Sequence, residues 1–300
     1  IKGLPAFNSA DAPLWFIRAL QLYAGYDPEF DIWKKYGKAI KEVLETYRQG
    51  SSGIIRMLEN GLIHAADGEN PLTWMDAIAE GRLVTPRPGL VVEVNALWYN
   101  AVCQALLWAE KKDKNFYKSW AHLPELIRES FVDQFWDQDR GYLADYVSGD
   151  FKDYSVRPSQ VIAVSVDHSP LSSEMKKSIL DVVQGELLTP RGLRSLSPKN
   201  EAYKGVYEGN QEKRDQAYHQ GTVWPWFLEH YAAGILDVHK NSGQSLVKKI
   251  FEGFEDEMNV RGIGSISEIY DGNPPHYGRG ALSQATGVAA LLRISEMLEI

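Results

Sequence analysis

Pro13-Leu14-Trp15-Phe16-Ile17-Arg18-Ala19-Leu20-Gln21-Leu22-Tyr23-Ala24 is apolar almost all round a helical wheel, the pattern of an inner, buried helix. Asp11 stands before it as an N-cap, and Pro13 is acceptable in a first turn. The following segment, residues 29–48, carries Ile32, Trp33, Tyr36, Ile40, Val43, Leu44 and Tyr47 at three- and four-residue steps. That is one apolar stripe on a polar helix, so an outer helix. The contrast recurs: residues 95–110, 158–167, 222–237 and 281–299 are more apolar, and residues 116–135, 172–187 and 244–258 amphipathic. Strand-like pieces such as Gly53-Ile54-Ile55-Arg56 are few, and the Val/Ile-rich runs of a parallel sheet are missing. Nine helices in antiparallel pairs predict an all-α protein. An open solenoid should repeat at a fixed length. The inner helices are unevenly spaced, so a closed toroid is expected. Three long stretches without helical pattern, residues 49–94, 188–221 and 259–279, each join an outer helix to the next inner one, which would place all of them at one end of such a toroid. No composition shift or Gly/Ser linker divides residues 1–300, so a single domain is expected.

The chain of 300 residues is long enough for a sizeable core. Its net charge of −8 argues against an electrostatic grip on nucleic acid or anionic lipid. No run of 18 apolar residues suggests a membrane span. Cys103 is the lone cysteine, which excludes an internal disulfide and fits a reducing compartment; a cytoplasmic location is expected. Nine Trp, 15 Tyr and 10 Phe are unusual, because several stand beside Pro, Asp, Asn and His in the long loops. Flat apolar rings next to polar groups suit sugars; a large core with Trp as filler is the bland alternative.

The loops hold the chemistry. The first contains Thr73-Trp74-Met75-Asp76-Ala77 and leads to Glu93-Val94-Asn95-Ala96-Leu97-Trp98-Tyr99. The second ends Tyr218-His219-Gln220-Gly221-Thr222-Val223-Trp224-Pro225-Trp226. The third contains Ser267-Glu268-Ile269-Tyr270-Asp271-Gly272, then Pro274-Pro275-His276. A glycosidase needs one carboxylic acid to protonate the leaving oxygen and one carboxylate as nucleophile or base. Apolar neighbours that raise a pKa favour Asp76 for the acid. Glu268, between Ile266 and Ile269, is a candidate for the other, with Asp271 and Glu93 as competitors. Asp76 could equally be a helix cap, and Trp98, Trp224 and Trp226 could be core. His219 and His276 are placed to hold substrate hydroxyls or to be satisfied structural histidines. No HExxH, CxxC, phosphate loop or GxSxG elbow occurs, so neither metal nor cofactor is expected.

The same blocks, preceded by Asn8-Ser9-Ala10-Asp11-Ala12-Pro13-Leu14-Trp15-Phe16-Ile17 and joined by Arg157-Pro158-Ser159-Gln160, resemble in order the glucosidase domain of glycogen debranching enzymes over residues 6 to about 295. The resemblance implies an (α/α)6 barrel related to glucoamylases. It also implies inverting hydrolysis of the α-1,6-linked glucose at branches of glycogen or limit dextrin, with Asp76 as general acid and Glu268 as general base. Asp11, Trp74, Glu93, Asn95, Trp98, Tyr99, Arg157, His219, Gln220, Trp224, Trp226 and His276 become substrate-pocket candidates. The family's barrel opens with further helices and a Trp-Gly-Arg-Asp segment not found here, and nine helices are three short of twelve. A C-terminal fragment of a longer chain, its barrel lacking the first helices, is therefore expected. The alternatives are another glucoamylase-like or trehalase-like α-glycosidase, or a non-catalytic glycan-binding fragment.

Overall fold

The computed structural model describes residues 9–50 and 54–300. Asn8 and Gly53, quoted above, lie outside the described residues. The helices are α1 (Ala12–Tyr26), α2 (Ile32–Gln49), α3 (Val92–Ala109), α4 (Lys114–Trp120), α5 (Leu123–Phe135), α6 (Gln160–Ser165), α7 (Ser173–Glu186), α8 (Gln211–Tyr218), α9 (Phe227–His239), α10 (Asn241–Glu252) and α11 (Ala285–Met297).

The all-α expectation is overturned, and the (α/α)6 toroid with it: four antiparallel sheets of short strands lie mostly between the helices, making the protein mixed α/β. In chain order the strands are β1 (Arg56–Met57), β2 (Ile63–Ala66), β3 (Ile78–Ala79), β4 (Arg82–Leu83), β5 (Gly89–Val91), β6 (Trp136–Asp137), β7 (Tyr142–Leu143), β8 (Tyr146–Ser148), β9 (Phe151–Asp153), β10 (Leu188–Thr189), β11 (Gly192–Arg194), β12 (Val223–Trp224), β13 (Ile269–Tyr270) and β14 (Gly278–Arg279). One five-stranded sheet runs β1-β2-β5-β8-β9 and another β10-β11-β12-β13-β14; β3-β4 and β6-β7 are separate hairpins. Most strands have two or three residues, too few for a period-two pattern to register. β12 falls inside a predicted helix because Trp224 precedes Pro225, which disfavours helical backbone at residue 224 and delays α9 to Phe227. The segment 116–135 divides into α4 and α5, where Pro124 opens the second helix. The polar helix α8 has no apolar stripe; its start is secured by the Asn210 side chain, which accepts the Lys213 N–H.

Two apolar helices act as hubs. α3 packs on α1, α2, α4 and α5, α9 packs on α7, α10 and α11, and α6 touches both hubs. Trp98, Val94, Ala101 and Val102 on α3 and Phe227, Tyr231 and Ala232 on α9 are fully buried, and burying each large apolar side chain contributes about 1.5–3 kcal/mol. Among the described residues no helix is long and apolar enough to cross a membrane.

Candidate active site

Ala10 is held from two sides: its N–H donates to the Leu72 carbonyl at 2.7 Å, and its carbonyl accepts the Tyr47 hydroxyl at 2.7 Å. This ties the start of α1 to the first loop. Asp11 occupies the N-cap position without capping; the Ser9 hydroxyl accepts the Ala12 N–H and donates to Asp11 Oδ1 at 2.7 Å. Asp11 thereby takes its place in the lining of a cavity of about 440 Å³.

That cavity gathers helix starts. Asp11 from α1, Glu93 from α3, Ile162 from α6, Trp226 and Glu229 from α9, and Gln284 from α11 all line it. Each helix N-terminus carries partial positive charge, which Asp11, Glu93 and Glu229 offset. The rings of Trp15, Trp74, Trp224 and Trp226 form its walls. Trp74 meets Trp224 edge-on at 5.6 Å and Trp226 at 5.8 Å, and its Nε1 donates to Ser159 Oγ at 3.1 Å. Trp15 and Trp226 are 6.4 Å apart. These edge-on contacts lock the rings against one another.

Asp76 and Glu268 do not themselves line this cavity, but both adjoin its walls. Asp76 lies two residues beyond Trp74 and leads into the β3-β4 hairpin, so it caps no helix. Glu268 directly precedes β13, whose Tyr270 pairs with Val223 beside Trp224. Both carboxylates disfavour ionisation of Tyr218, Glu268 by a direct hydrogen bond and Asp76 only weakly at longer range; Tyr218 is the last residue of α8, against which β3 packs. Tyr218 donates its hydroxyl to Glu268 Oε1 at 2.5 Å and packs on Trp224 at 4.9 Å. Glu268 Oε2 accepts the Ala281 N–H at 2.8 Å. Gly280 allows this approach: its φ is +64°, and a Cβ there would collide with Glu268 Oε2. Asp76 reaches solvent, yet the protein around it raises its pKa by desolvation. Burial, then the bond to Glu268, push the Tyr218 hydroxyl well above the ordinary tyrosine value.

The competing carboxylates are committed elsewhere. Glu93 receives both Arg87 Nη1 and Nη2 at 2.6 Å, and Arg87 also donates to Asp145 at 2.6 and 2.9 Å, all three buried. Asp271 holds Arg279 at 2.7 and 2.9 Å and the Tyr207 N–H at 2.8 Å. Among the described residues neither Asp76 nor Glu268 has a cation within ion-pair distance.

Of the other candidates, Trp74, Trp224, Trp226, Asp11 and Glu93 come together in the cavity. Arg157 and Gln220 instead line a smaller cavity of about 240 Å³; Arg157 donates to the Ser195 and His219 carbonyls and to Gln220 Oε1. His219 is fully buried and stacks on Trp224 at 5.4 Å; neither ring nitrogen has a hydrogen-bond partner among the described residues. Desolvation lowers its pKa to about 3, so it is neutral. Asn95 is fully buried and spends its amide on Ile63 N, Ile63 O and Val91 O. Trp98 is core, bonded to the Gly61 carbonyl and stacked on Tyr47. Tyr99 turns to Cys103, and His276 to the Asp271 carbonyl at 2.9 Å. Sequence reasoning missed Tyr218, Trp15, Glu229 and the Arg87–Asp145 pair. Tyr218 stood in a quoted block, directly before His219; the pairing of Arg87 with Asp145, 58 residues apart, leaves no local trace. Among the described residues no group of three or more His, Cys, Asp or Glu is arranged to hold a metal.

An aromatic cleft edged by carboxylates has the chemistry of a carbohydrate site. A family model described as amylo-alpha-1,6-glucosidase matches residues 2–293, and the chain belongs to that family, among the glycosidases. It is 25% identical over 224 residues to the glycogen debranching enzyme of Saccharomyces cerevisiae, a match covering 60% of this chain and 14% of the yeast enzyme. The likeness to an uncharacterized conserved protein of Thermus thermophilus is one of fold, with TM-score 0.50 at 15% identity over 69% of this chain and 46% of that one. A GH63 mannosylglycerate hydrolase from the same organism has TM-score 0.49 at 15% identity, covering 69% and 45%.

Proposed function

We propose that this chain hydrolyses α-1,6-linked glucose at branch points of glycogen or limit dextrin, with inversion, Asp76 acting as general acid and Glu268 as general base. The observation that carries this reading is the difference between the two carboxylates. Glu268 accepts a hydrogen bond on each carboxylate oxygen, from the Tyr218 hydroxyl and the Ala281 N–H. Asp76 is desolvated without a compensating cation, so its proton is retained to higher pH. A desolvated carboxyl that holds its proton suits the acid, and a carboxylate fixed by two neutral donors suits the base. The commitment of Glu93 and Asp271 to arginines removes the competitors. In this reading Asp76 protonates the departing sugar oxygen while Glu268 draws a proton from the attacking water. Inversion requires room for that water, so the carboxyls should stand roughly 6.5–9.5 Å apart when substrate is bound. Family membership and the similarity to the yeast debranching enzyme support the substrate class.

The test is glucose release by the chain and two variants from limit dextrin and from α-glucosyl fluoride. Glu268→Gln should lose about 10²–10⁴-fold on both substrates, because water must be activated in either case. Asp76→Asn should lose about as much on limit dextrin and far less on the fluoride, whose leaving group needs no proton. Normal activity of Asp76→Asn on limit dextrin removes it as the acid. Release from maltose but not limit dextrin points to a glucoamylase-like specificity, and binding without release to a non-catalytic glycan module.

A further inference from the structure

We infer that Tyr218 is a positioning residue for this reaction: its hydroxyl, acting together with the Ala281 N–H, clamps Glu268 in one orientation as a hydrogen-bond acceptor. The inference rests on the reading of Glu268 as the base.

The clamp has three parts. Tyr218 Oη donates to Oε1 at 2.5 Å, Ala281 N donates to Oε2 at 2.8 Å, and Glu268 N donates to the Ala281 carbonyl at 3.0 Å. Side chain and backbone of Glu268 are thereby both fastened to residue 281, and among the described residues Tyr218 is the one that fastens the other carboxylate oxygen. A glutamate has three rotatable side-chain bonds, and a base that must meet one water in one place gains rate from losing that freedom. The tyrosine is itself immobilised. Its ring packs on Tyr207 at 5.7 Å, His219 at 4.7 Å and Trp224 at 4.9 Å. Its carbonyl accepts the Thr222 hydroxyl at 2.5 Å and Trp224 Nε1 at 3.2 Å. Trp224 lines the large cavity, so one tyrosine couples the orientation of Glu268 to a wall of the cleft. Tyr218 keeps its proton throughout, because a phenol that is buried and donating to a carboxylate resists ionisation. It therefore exchanges no proton with substrate and acts only through Glu268.

Tyr218→Phe keeps the ring and removes only the hydroxyl. The expected result is a kcat on limit dextrin reduced about 10–100-fold, as befits loss of a charge-assisted hydrogen bond, with KM changed less than about threefold. α-Glucosyl fluoride should suffer equally, since the lesion lies on the base side. The acidic limb of the kcat/KM profile should move upward, because a donor to the charged form has been lost. A purely structural tyrosine would lower the melting temperature and leave that limb in place. A second measurement needs no turnover: carboxyl ¹³C NMR of glutamate-labelled protein, with Glu268→Gln identifying the resonance. In Tyr218→Phe the Glu268 signal should titrate at higher pH than in the parent. An unmoved titration in a folded Tyr218→Phe protein overturns the inference. Failure of the parent chain to release glucose from any glucan, with the titration moved as expected, would sink the catalytic reading and leave the clamp standing.

Discussion

Two pairs of carboxylates lie within one region of this molecule and are treated in opposite ways. Glu93 and Asp145 are buried and gripped by Arg87, with Arg157 Nε a further 3.8 Å from Asp145. Asp76 and Glu268 sit at the edge of the cleft beside Tyr218, with neutral donors or none. A buried carboxylate without a cation is too costly to keep ionised, and Arg87 supplies the cation to both members of the interior pair, although burial still raises the Asp145 pKa. At the edge, Asp76 is partly desolvated with no cation beside it and its pKa is raised, which suits acid–base work. The proposed assignment thus rests on a carboxylate's partners rather than on its proximity to a cavity. Glu93 lines the large cavity with both oxygens held by Arg87; Glu268 does not line it and is the proposed base.

Breaking either pair should produce different damage. Glu268→Gln is expected to cost about 10²–10⁴-fold in rate while shifting the urea midpoint little, read by glucose release and equilibrium unfolding on the same preparation. Arg87→Ala should act on the fold instead, destabilising it by about 3–5 kcal/mol because Glu93 and Asp145 remain buried and unpaired. An Arg87→Ala protein of parental stability would show that water reaches the cluster. Trp98→Ala, in the core, should cost a similar 3–5 kcal/mol, roughly, through the cavity it leaves.

Acid should expose a third difference. His219 and His230 are buried, and desolvation lowers both to about 3. Their unfolded counterparts take up protons near the ordinary histidine value of about 6.5. Between those limits the unfolded chain binds more protons, so stability rises with pH and is lost as pH falls from about 6.5 toward 3. The slope approaches roughly 1.4 kcal/mol per pH unit for each histidine. Urea unfolding at about pH 7 and about pH 5, on either side of the ordinary histidine value, should show the loss, and His230→Asn should reduce it. An unchanged midpoint would mean that the two rings are hydrated.

The smallest effect concerns the tryptophans. Trp226→Ala should weaken glucan binding by about 1 kcal/mol, a five- to tenfold rise in Kd, with less loss of stability than Trp98→Ala. Titration calorimetry with a branched oligosaccharide reads it. Equal damage to binding from both substitutions would erase the distinction between wall and core.

Period-3.6 patterning located most helices to within a few residues: α1, α2, α3, α6, α7 and α11 lie where their apolar stripes predict. Burial of an apolar face is a local property of sequence order, and so is the effect of Pro225 on Trp224. Ordered blocks likewise made the family legible, because residue identity at fixed spacing survives without coordinates. The sheets were not legible. Two-residue strands such as β12 and β13 exist only because distant segments meet, and nothing inside Val223-Trp224 or Ile269-Tyr270 specifies the partner. The same holds for the sorting of candidate residues. Asn95, Trp98 and Glu93 share one helix and one sequence block, yet the first holds backbone, the second fills the core and the third closes an ion cluster. Tyr218 meets Glu268 across 50 residues. Composition and periodicity determined which surfaces had to be buried. Tertiary structure alone decided which polar groups found partners, because hydrogen bonding and charge pairing are set by through-space distances of a few ångströms, which sequence separation does not encode.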